Sequence, residues 1–192
     1  MLRTHAFAIA FVALTALVSQ AAVKVGEKGP DIKGVPTVDG KKVSLDEYKD
    51  AKAIVVTFTC NVCPVAVAYE DRFVEFTKKY GEKGVKFVAI NCSPSEDLEK
   101  MKQRAEEKGF NFPYAYQEDG AAAKAYGARV TPHIYVLDQD RKVAYIGAFD
   151  DNQNEAKVEK KYVADAVDAI LAGKSVPVAE TKAVGCGIKI KK

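Results

Sequence analysis

AIVVTFTCNVCP, residues 53–64, passes from an apolar run with many β-branched residues to a Cys-x-x-Cys pair followed by proline. The run predicts a buried strand, and the proline stands where a helix can begin. Cys60 and Cys63 therefore lie at a strand-to-helix turn. A thiol at a helix N-terminus is acidified by unpaired backbone N–H groups and by the helix dipole. This placement predicts Cys60 as the attacking sulfur and Cys63, one turn further on, as the sulfur that resolves a mixed disulfide.

Other interpretations of the pair are a structural disulfide, half of a metal site, or two buried cysteines without function. A structural zinc site needs a second Cys/His pair at similar spacing, and the sequence contains none. A redox dithiol is therefore the preferred interpretation, provided that the rest of the chain has a βαβ pattern. It needs no cofactor.

The first residues have the pattern of a signal peptide. A short basic start is followed by an apolar run over 6–18 and by small residues up to Ala21. The run is shorter than the roughly 20 residues of a membrane-spanning helix, so we expect cleavage after residue 21 and no stable membrane insertion. The protein is then exported, to the periplasm or another extracytoplasmic space, where disulfides can persist.

Charge and cysteine content narrow the possible functions. The net charge is +3 at pH 7, with both signs interspersed, which predicts neither nucleic acid nor a membrane surface as a partner. The four cysteines, Cys60, Cys63, Cys92 and Cys186, all follow the predicted signal. They are too few for a disulfide scaffold in a chain of this size, so specific roles are favoured.

Strand and helix patterns alternate after the signal. Asp39-Gly40 between short β-prone runs predicts an N-terminal hairpin. The helix after the cysteines extends to about residue 80, with Glu70 and Arg72 on its solvated face. A buried strand over 85–91 follows. Ser93-Pro94-Ser95-Glu96 then predicts a capping box that starts a helix to about residue 108.

Cys92 comes directly after the strand over 85–91, at the edge where open α/β sheets bind ligands. Its nearness to Cys60 makes it a possible auxiliary redox residue. The plain interpretation is a small buried hydrophobic residue.

The second informative stretch is residues 127–138, where Thr131-Pro132 precedes a predicted strand. Proline cannot donate to a strand ladder, so it takes the first strand position. A cis bond here leaves the backbone of Thr131 free to pair with an extended peptide. A hairpin to about residue 148 and a helix over 154–172 complete a single domain, residues 22–173.

Residues 174–192 form a basic C-terminal tail in which glycines flank Cys186. The glycines give this sulfur freedom of approach. In one hypothesis Cys186 folds back to pair with Cys92 or to exchange with Cys60 and Cys63. A simple tail thiol or a static staple is the alternative.

Together, the Cys60-Asn61-Val62-Cys63 turn and the Thr131-Pro132 hairpin resemble the thioredoxin fold, an α/β fold whose central mixed sheet is flanked by helices. The N-terminal hairpin extension and the short helix over 119–126 make the chain most similar to exported TlpA/ResA-type and AhpC/TSA-like (redoxin) thiol-disulfide oxidoreductases. The resemblance covers about residues 26–172. It implies that Cys60 is the nucleophile, Cys63 the resolving thiol and Thr131-Pro132 the substrate-binding loop. The implied partners are protein thiol or disulfide clients and a redox partner, and we expect a monomer.

The chain departs from this family pattern in ways that leave the general base open. Ile54 stands where thioredoxins have a buried acid, and Ala66 where ResA-type proteins have a glutamate. Water or His133 is left as the proton acceptor. Asn61-Val62 between the cysteines is uncharged, which favours a reductase or isomerase-like role.

Two other functions stay open. Thr57 stands three residues before Cys60, as in peroxiredoxins, although Ala53 replaces the proline of that motif. Cys60, Cys63 and His133 are similar to the copper ligands of Sco-type delivery proteins, since two thiolates and an imidazole suit Cu(I). Sco proteins space the cysteines one residue wider, and a neutral side chain at a strand start is the plain interpretation of His133.

Overall fold

A computed structural model describes residues 22–191, and the predicted signal over 1–21 lies outside the described residues. A five-stranded mixed sheet in the order β5-β4-β3-β7-β8 forms the centre. Its strands are β3 Ala53–Phe58, β4 Val85–Asn91, β5 Tyr114–Tyr116, β7 His133–Leu137 and β8 Val143–Gly147. The predicted mixed sheet is confirmed.

Two short pairs of strands accompany this sheet. The first is the predicted N-terminal hairpin, in which β1 Val35–Pro36 runs antiparallel to β2 Lys42–Val43. The second joins β6 Val130–Thr131 to β9 Cys186–Gly187, also antiparallel. The C-terminal tail is therefore part of the folded domain and pairs with the strand that precedes Pro132.

In the described part of the chain, five α-helices and two 3-10 turns flank the sheet. The helices are α1 Pro64–Val67, α2 Glu70–Gly81, α3 Leu98–Lys108, α4 Ala121–Tyr126 and α5 Tyr162–Leu171; the turns are Leu45–Tyr48 and Glu155–Lys157. No helix among the described residues has both the length and the apolar character needed to cross a membrane.

The central strand β3 carries the cysteine turn because both of its faces are buried. Ile54, Val56 and Phe58 pack into a core on one side of the sheet, and Val55 packs into a second core on the other side. All six residues of β3 are buried, and each large apolar side chain contributes about 1.5–3 kcal/mol through burial. This packing holds the carboxyl end of β3, and with it the cysteine turn, at a fixed edge of the sheet.

The helix predicted to follow the cysteines is divided in two. α1 ends at Val67, and α2 starts afresh at Glu70. The sequence predicts that Glu70 and Arg72 lie on a solvated face. In the structure both are buried, with exposed fractions of 3% and 8%. Glu70 accepts hydrogen bonds from Arg104 on α3 at 3.0 and 2.6 Å. Arg72 pairs with buried Asp150, because this face packs against α3 and the loop after β8.

Candidate active site

All four cysteines line one groove of about 480 Å³ at the carboxyl ends of β3 and β4. Cys60 follows β3, Cys92 follows β4, and Cys63 is the N-cap residue directly before α1. Cys186 reaches the groove from the tail. All are free thiols in this structure. The fold thus brings together every cysteine that the sequence singled out.

Cys60 is not acidified in the way that the sequence predicts. Burial raises the pKa of the Cys60 thiol above its ordinary value of 9.0, and the nearby carboxylate of Glu96 acts in the same direction. Hydrogen bonds from the Thr131 hydroxyl and from backbone N–H groups at Cys63 and Val62 lower the pKa but do not outweigh burial. The expectation of a low pKa at Cys60 is therefore wrong for this arrangement.

Cys63 is the more acidic thiol of the pair, and it, not Cys60, occupies the N-cap position of α1. Burial raises the pKa of Cys63, but hydrogen bonds from the Cys186 side chain and from the Ala66 backbone N–H overcome this effect and lower it overall. Cys63 is 1% exposed, whereas Cys60 is 8% exposed. Acidity and access are therefore divided between the two sulfurs.

Thr131 holds both sulfurs of the pair. Its hydroxyl lies 3.4 Å from Cys60 Sγ, and its carbonyl oxygen accepts a hydrogen bond from the Cys63 thiol at 3.1 Å. The peptide bond between Thr131 and Pro132 is cis, as predicted. The loop therefore faces the cysteine pair directly.

The backbone of Thr131 already has a strand partner. In β6 and β9, Thr131 is paired with Cys186 and Val130 with Gly187. The backbone N–H of Cys186 also points at Cys63 Sγ, at 3.4 Å. The predicted peptide-binding backbone is thus occupied by the chain's own tail.

A buried carboxyl group beside Cys60 was missed by the sequence reasoning. Glu96 is 6% exposed, and its two carboxylate oxygens accept from the backbone N–H of Asn61 at 3.2 and 3.1 Å. It is not a helix cap: Asp97 caps α3 by accepting from the backbone N–H of Lys100. Burial raises the pKa of Glu96. The Ser-Pro-Ser-Glu pattern identified a turn correctly but did not show that its last side chain folds back toward the cysteines.

Asn61, which directly follows Cys60, is held through both its backbone and its side chain. Besides its N–H contact with Glu96, Asn61 accepts a hydrogen bond from the hydroxyl of Tyr114 at 2.7 Å. That hydroxyl accepts in turn from the side-chain amide of Asn91 at 3.1 Å. The network links the cysteine turn to β4 and β5, so its conformation is set by the central sheet.

Cys92 lies in the groove but is poorly suited to nucleophilic attack. It is 3% exposed, and burial together with the negative charge of a Cys60 thiolate raises its pKa to about 11. It therefore remains a neutral thiol near neutral pH. Its environment favours the plain interpretation, a small buried residue.

His133 lies outside the groove. Its Nδ1 is 3.4 Å from the backbone nitrogen of Arg129 and from the Tyr135 hydroxyl. Burial lowers its pKa to about 4, with a further contribution from the charge of Arg129. Among residues 22–191, no three Cys, His, Asp or Glu side chains are grouped to hold a metal ion. The structure does not assemble the copper site considered from the sequence.

Thr57 does not reach the groove either. It lies inside β3, fully buried, between Ala89 of β4 and Ile134 of β7. Within the described part of the chain its hydroxyl has no hydrogen-bond partner. A peroxide-reducing site built on both residues would require Thr57 to contact Cys60 through the groove. Thr57 does not make this contact.

The comparisons with known proteins agree with this geometry. A family model described as Redoxin matches residues 24–163. The thiol-disulfide oxidoreductase ResA of Bacillus thuringiensis subsp. konkukian is 27% identical over 124 residues, which cover 63% of this chain and 68% of the relative.

Solved structures give the same assignment of the fold. An uncharacterized conserved protein from Geobacillus kaustophilus superposes with a TM-score of 0.81 at 37% identity, covering 88% of this chain and 93% of that one. A thioredoxin-family thiol:disulfide interchange protein from Chlorobium tepidum TLS superposes with a TM-score of 0.62 at 22% identity, covering 79% and 99%. The fold is therefore thioredoxin-like. With its paired thiols and the match over most of its length, the chain is a thioredoxin-like thiol-disulfide oxidoreductase and belongs to the Redoxin family.

Proposed function

We propose that this redoxin exchanges a Cys60–Cys63 dithiol and disulfide with the thiols of client proteins outside the cytoplasm. The observation that carries the proposal is the contact of one residue with both sulfurs: the Thr131 side chain at Cys60 and the Thr131 carbonyl at Cys63. Two thiols held at a sheet edge by a single loop residue can be joined and separated with little movement of the backbone.

Cys60 is the sulfur that meets the client, because it is the less buried of the pair. In the reducing direction the Cys60 thiolate attacks a client disulfide, and one client sulfur leaves as a thiolate. Cys63 then attacks Cys60, the Cys60–client bond breaks, and the second client thiol is released. The client disulfide is reduced to two thiols while Cys60–Cys63 is oxidised. The proton that Cys60 loses passes to solvent at the mouth of the groove.

The surface around the pair supports protein segments as clients. Val62, between the two cysteines, lines the groove and is 61% exposed, and Val184, which lines a separate cavity together with Pro132, is 63% exposed. Exposed apolar side chains beside a reactive site are typical of surfaces that contact other proteins. Lys189 supplies a charge at the end of the same groove. This surface supports a client segment with apolar residues around its cysteine.

The proposal includes the cellular location of the protein and the direction of electron flow. The predicted signal over residues 1–21 and the four cysteines after it support an extracytoplasmic site, in the periplasm or an equivalent space. The uncharged Asn61-Val62 pair favours reduction or isomerisation of client disulfides. We expect the protein to act as a monomer with an exported client and a separate electron donor.

Insulin reduction tests the proposal directly. The purified protein should contain a reducible Cys60–Cys63 bond and should accelerate insulin reduction by dithiothreitol, and Cys60→Ser should abolish the acceleration. Peroxide consumption and Cu(I) titration on the same samples are the comparisons. Peroxide turnover that survives Cys63→Ser without disulfide exchange would replace the proposal with a peroxidase. Tight Cu(I) binding lost in His133→Ala would replace it with a copper carrier.

A further inference from the structure

The tail is anchored on both sides of Cys186. Before it, the backbone N–H of Thr181 donates to Ile146 of β8 at 2.9 Å, and the Thr181 hydroxyl accepts from the Ala148 N–H at 3.0 Å. After it, Ile188 donates to the Arg129 carbonyl at 2.9 Å, and Ile188 and Ile190 pack against the core. Cys186 is therefore held in place by contacts that do not involve its own sulfur.

Gly185 makes the close approach possible. A Cβ atom at this position would lie 1.9 Å from the Thr131 carbonyl oxygen, which no side chain can occupy. Gly187, in the same strand, has open space around its Cβ position. Thus the tail backbone lies directly against Thr131 at Gly185, just before the cysteine, and is unconfined at Gly187, just after it.

Cys186 is directed at Cys63 and not at Cys92. Its N–H points at Cys63 Sγ, and its side chain lowers the pKa of Cys63 through a hydrogen bond. The pKa of Cys186 itself is raised to about 11, first because of the same hydrogen bond with Cys63. Cys186 is exposed, whereas Cys60 and Cys63 are buried. The tail thus places an accessible sulfur next to the least accessible one.

We propose that Cys186 is a third redox cysteine, which moves the active-site disulfide from Cys60–Cys63 to Cys63–Cys186. The step rests on the proposed Cys60–Cys63 chemistry. The Cys186 thiolate attacks Cys63 Sγ, a Cys63–Cys186 bond forms, and the Cys60–Cys63 bond breaks. The electron pair of the broken bond goes to Cys60, which takes up the proton that Cys186 released. No net oxidation occurs. Cys60 returns to the thiol form, and Cys63 becomes available to resolve the next client once the Cys63–Cys186 bond is reduced.

The transferred disulfide is then open to a donor. A dithiol protein, or dithiothreitol in the test, attacks exposed Cys186, and its second thiol completes the exchange. The donor is oxidised to a disulfide while Cys63 and Cys186 become thiols. Formation of the Cys60–Cys63 bond also removes the thiolate charge from the Cys63 sulfur, which then accepts only weakly from the Cys186 thiol. The main cause of the raised Cys186 pKa is then weakened, so Cys186 ionises more readily when transfer is required.

Disulfide mapping tests the transfer. The reduced protein is oxidised with one equivalent of diamide, blocked at acid pH with N-ethylmaleimide and digested with trypsin without reduction. Cys60 and Cys63 share the peptide over 53–72, and Cys186 lies in the peptide over 183–189. We expect a cross-link between these two peptides. It should become the dominant disulfide in Cys60→Ser and fall at least about tenfold in Cys63→Ser, because attack requires contact with the partner sulfur.

Two glycine variants form a matched pair. Gly185→Ala should reduce the cross-link at least about tenfold, since it displaces the tail from Thr131 without removing a sulfur. Gly187→Ala should retain it. Equal cross-linking in the two variants, or a wild-type protein whose Cys186 stays blocked as a free thiol while Cys60–Cys63 forms, overturns the relay.

The relay and the client proposal can fail separately. Insulin reduction without any link to the peptide over 183–189 overturns the relay and leaves the client proposal standing. A Cys63–Cys186 link in a protein that does not reduce insulin supports the transfer step and overturns the client proposal.

Discussion

Replacing Thr131 by valine should make Cys60 less reactive. The substitution removes the hydroxyl that lies 3.4 Å from Cys60 Sγ, and it keeps the side-chain shape and the carbonyl that accepts from Cys63. A well-formed hydrogen bond to a charged group contributes about 1.5–3 kcal/mol. For this long contact to sulfur we take about 1 kcal/mol, so its loss raises the pKa of Cys60 and slows the reaction of Cys60 near neutral pH by about fivefold.

Glu96→Gln should have the opposite effect. Its carboxylate raises the pKa of Cys60, and the glutamine oxygen can still accept from the Asn61 N–H. Loss of the charge should lower the pKa of Cys60 and speed its reaction near neutral pH by about threefold, since partly screened charges interact by on the order of 1 kcal/mol or less. Burial is the larger cause of the raised pKa and is unchanged, so Cys60 should remain less acidic than an ordinary cysteine.

The assay is alkylation by iodoacetamide in a Cys63→Ser background, where Cys60 is the sole sulfur in the tryptic peptide over 53–72. The alkylation rate should rise with pH and level off once the pH exceeds the raised pKa of Cys60, because the thiolate is the nucleophile. The profile of Thr131→Val should shift to higher pH and that of Glu96→Gln to lower pH. Shifts in the same direction, or rates at neutral pH within about twofold of the parent for both, would refute this account of Cys60 acidity.

Three further predictions concern stability and the other titrating groups. Asp150→Asn leaves the buried Arg72 guanidinium without its charge partner and should cost about 3–5 kcal/mol in urea unfolding, whereas Glu118→Gln, in an exposed pair, should cost less than about 1 kcal/mol. His133 has a folded-state pKa of about 4, below its ordinary 6.5, so its contribution to stability is complete above pH 6.5 and is lost as pH falls toward 4. His133→Gln should flatten this acid loss, which amounts to at most about 3 kcal/mol, in urea titrations compared across that range. Cys92 is 3% exposed and has a pKa of about 11, so it should remain unmodified by iodoacetamide in the folded protein at pH 8 and react after denaturation; equal labelling rates in the folded and the denatured protein would contradict its burial.

Local sequence patterns predicted those parts of the fold that depend on local periodicity. The alternation of buried strands and amphipathic helices and the Asp39-Gly40 hairpin follow from short-range rules, and the proline predicted at the first position of a strand lies one residue before β7. The sheet edge could also be predicted, because the carboxyl ends of parallel strands place Cys60 and Cys92 side by side.

The errors arose where tertiary contacts replaced the local ones. Glu96 fits a capping pattern, but its carboxylate bonds to Asn61, which is 35 positions away in the chain. Arg72 lies on the polar face of α2 and is nevertheless buried against Asp150. Cys60 was also expected at or just before the helix N-terminus, whereas α1 starts at Pro64 and Cys63 is its N-cap residue. No local rule states which polar side chain meets a partner from another element.

The contacts of the C-terminal tail with Thr131 and Cys63 also affect where the protein can be truncated for experiments. The family match ends at residue 163, and the last α-helix ends at Leu171, so a truncation at 173 would look complete by either measure. Such a protein would keep Cys60 and Cys63 but would expose the backbone edge of Thr131 and leave Cys63 without the N–H of Cys186. Without the tail the groove is open, so we expect the pKa of Cys63 and the range of substrates to differ from those of the protein that retains the tail.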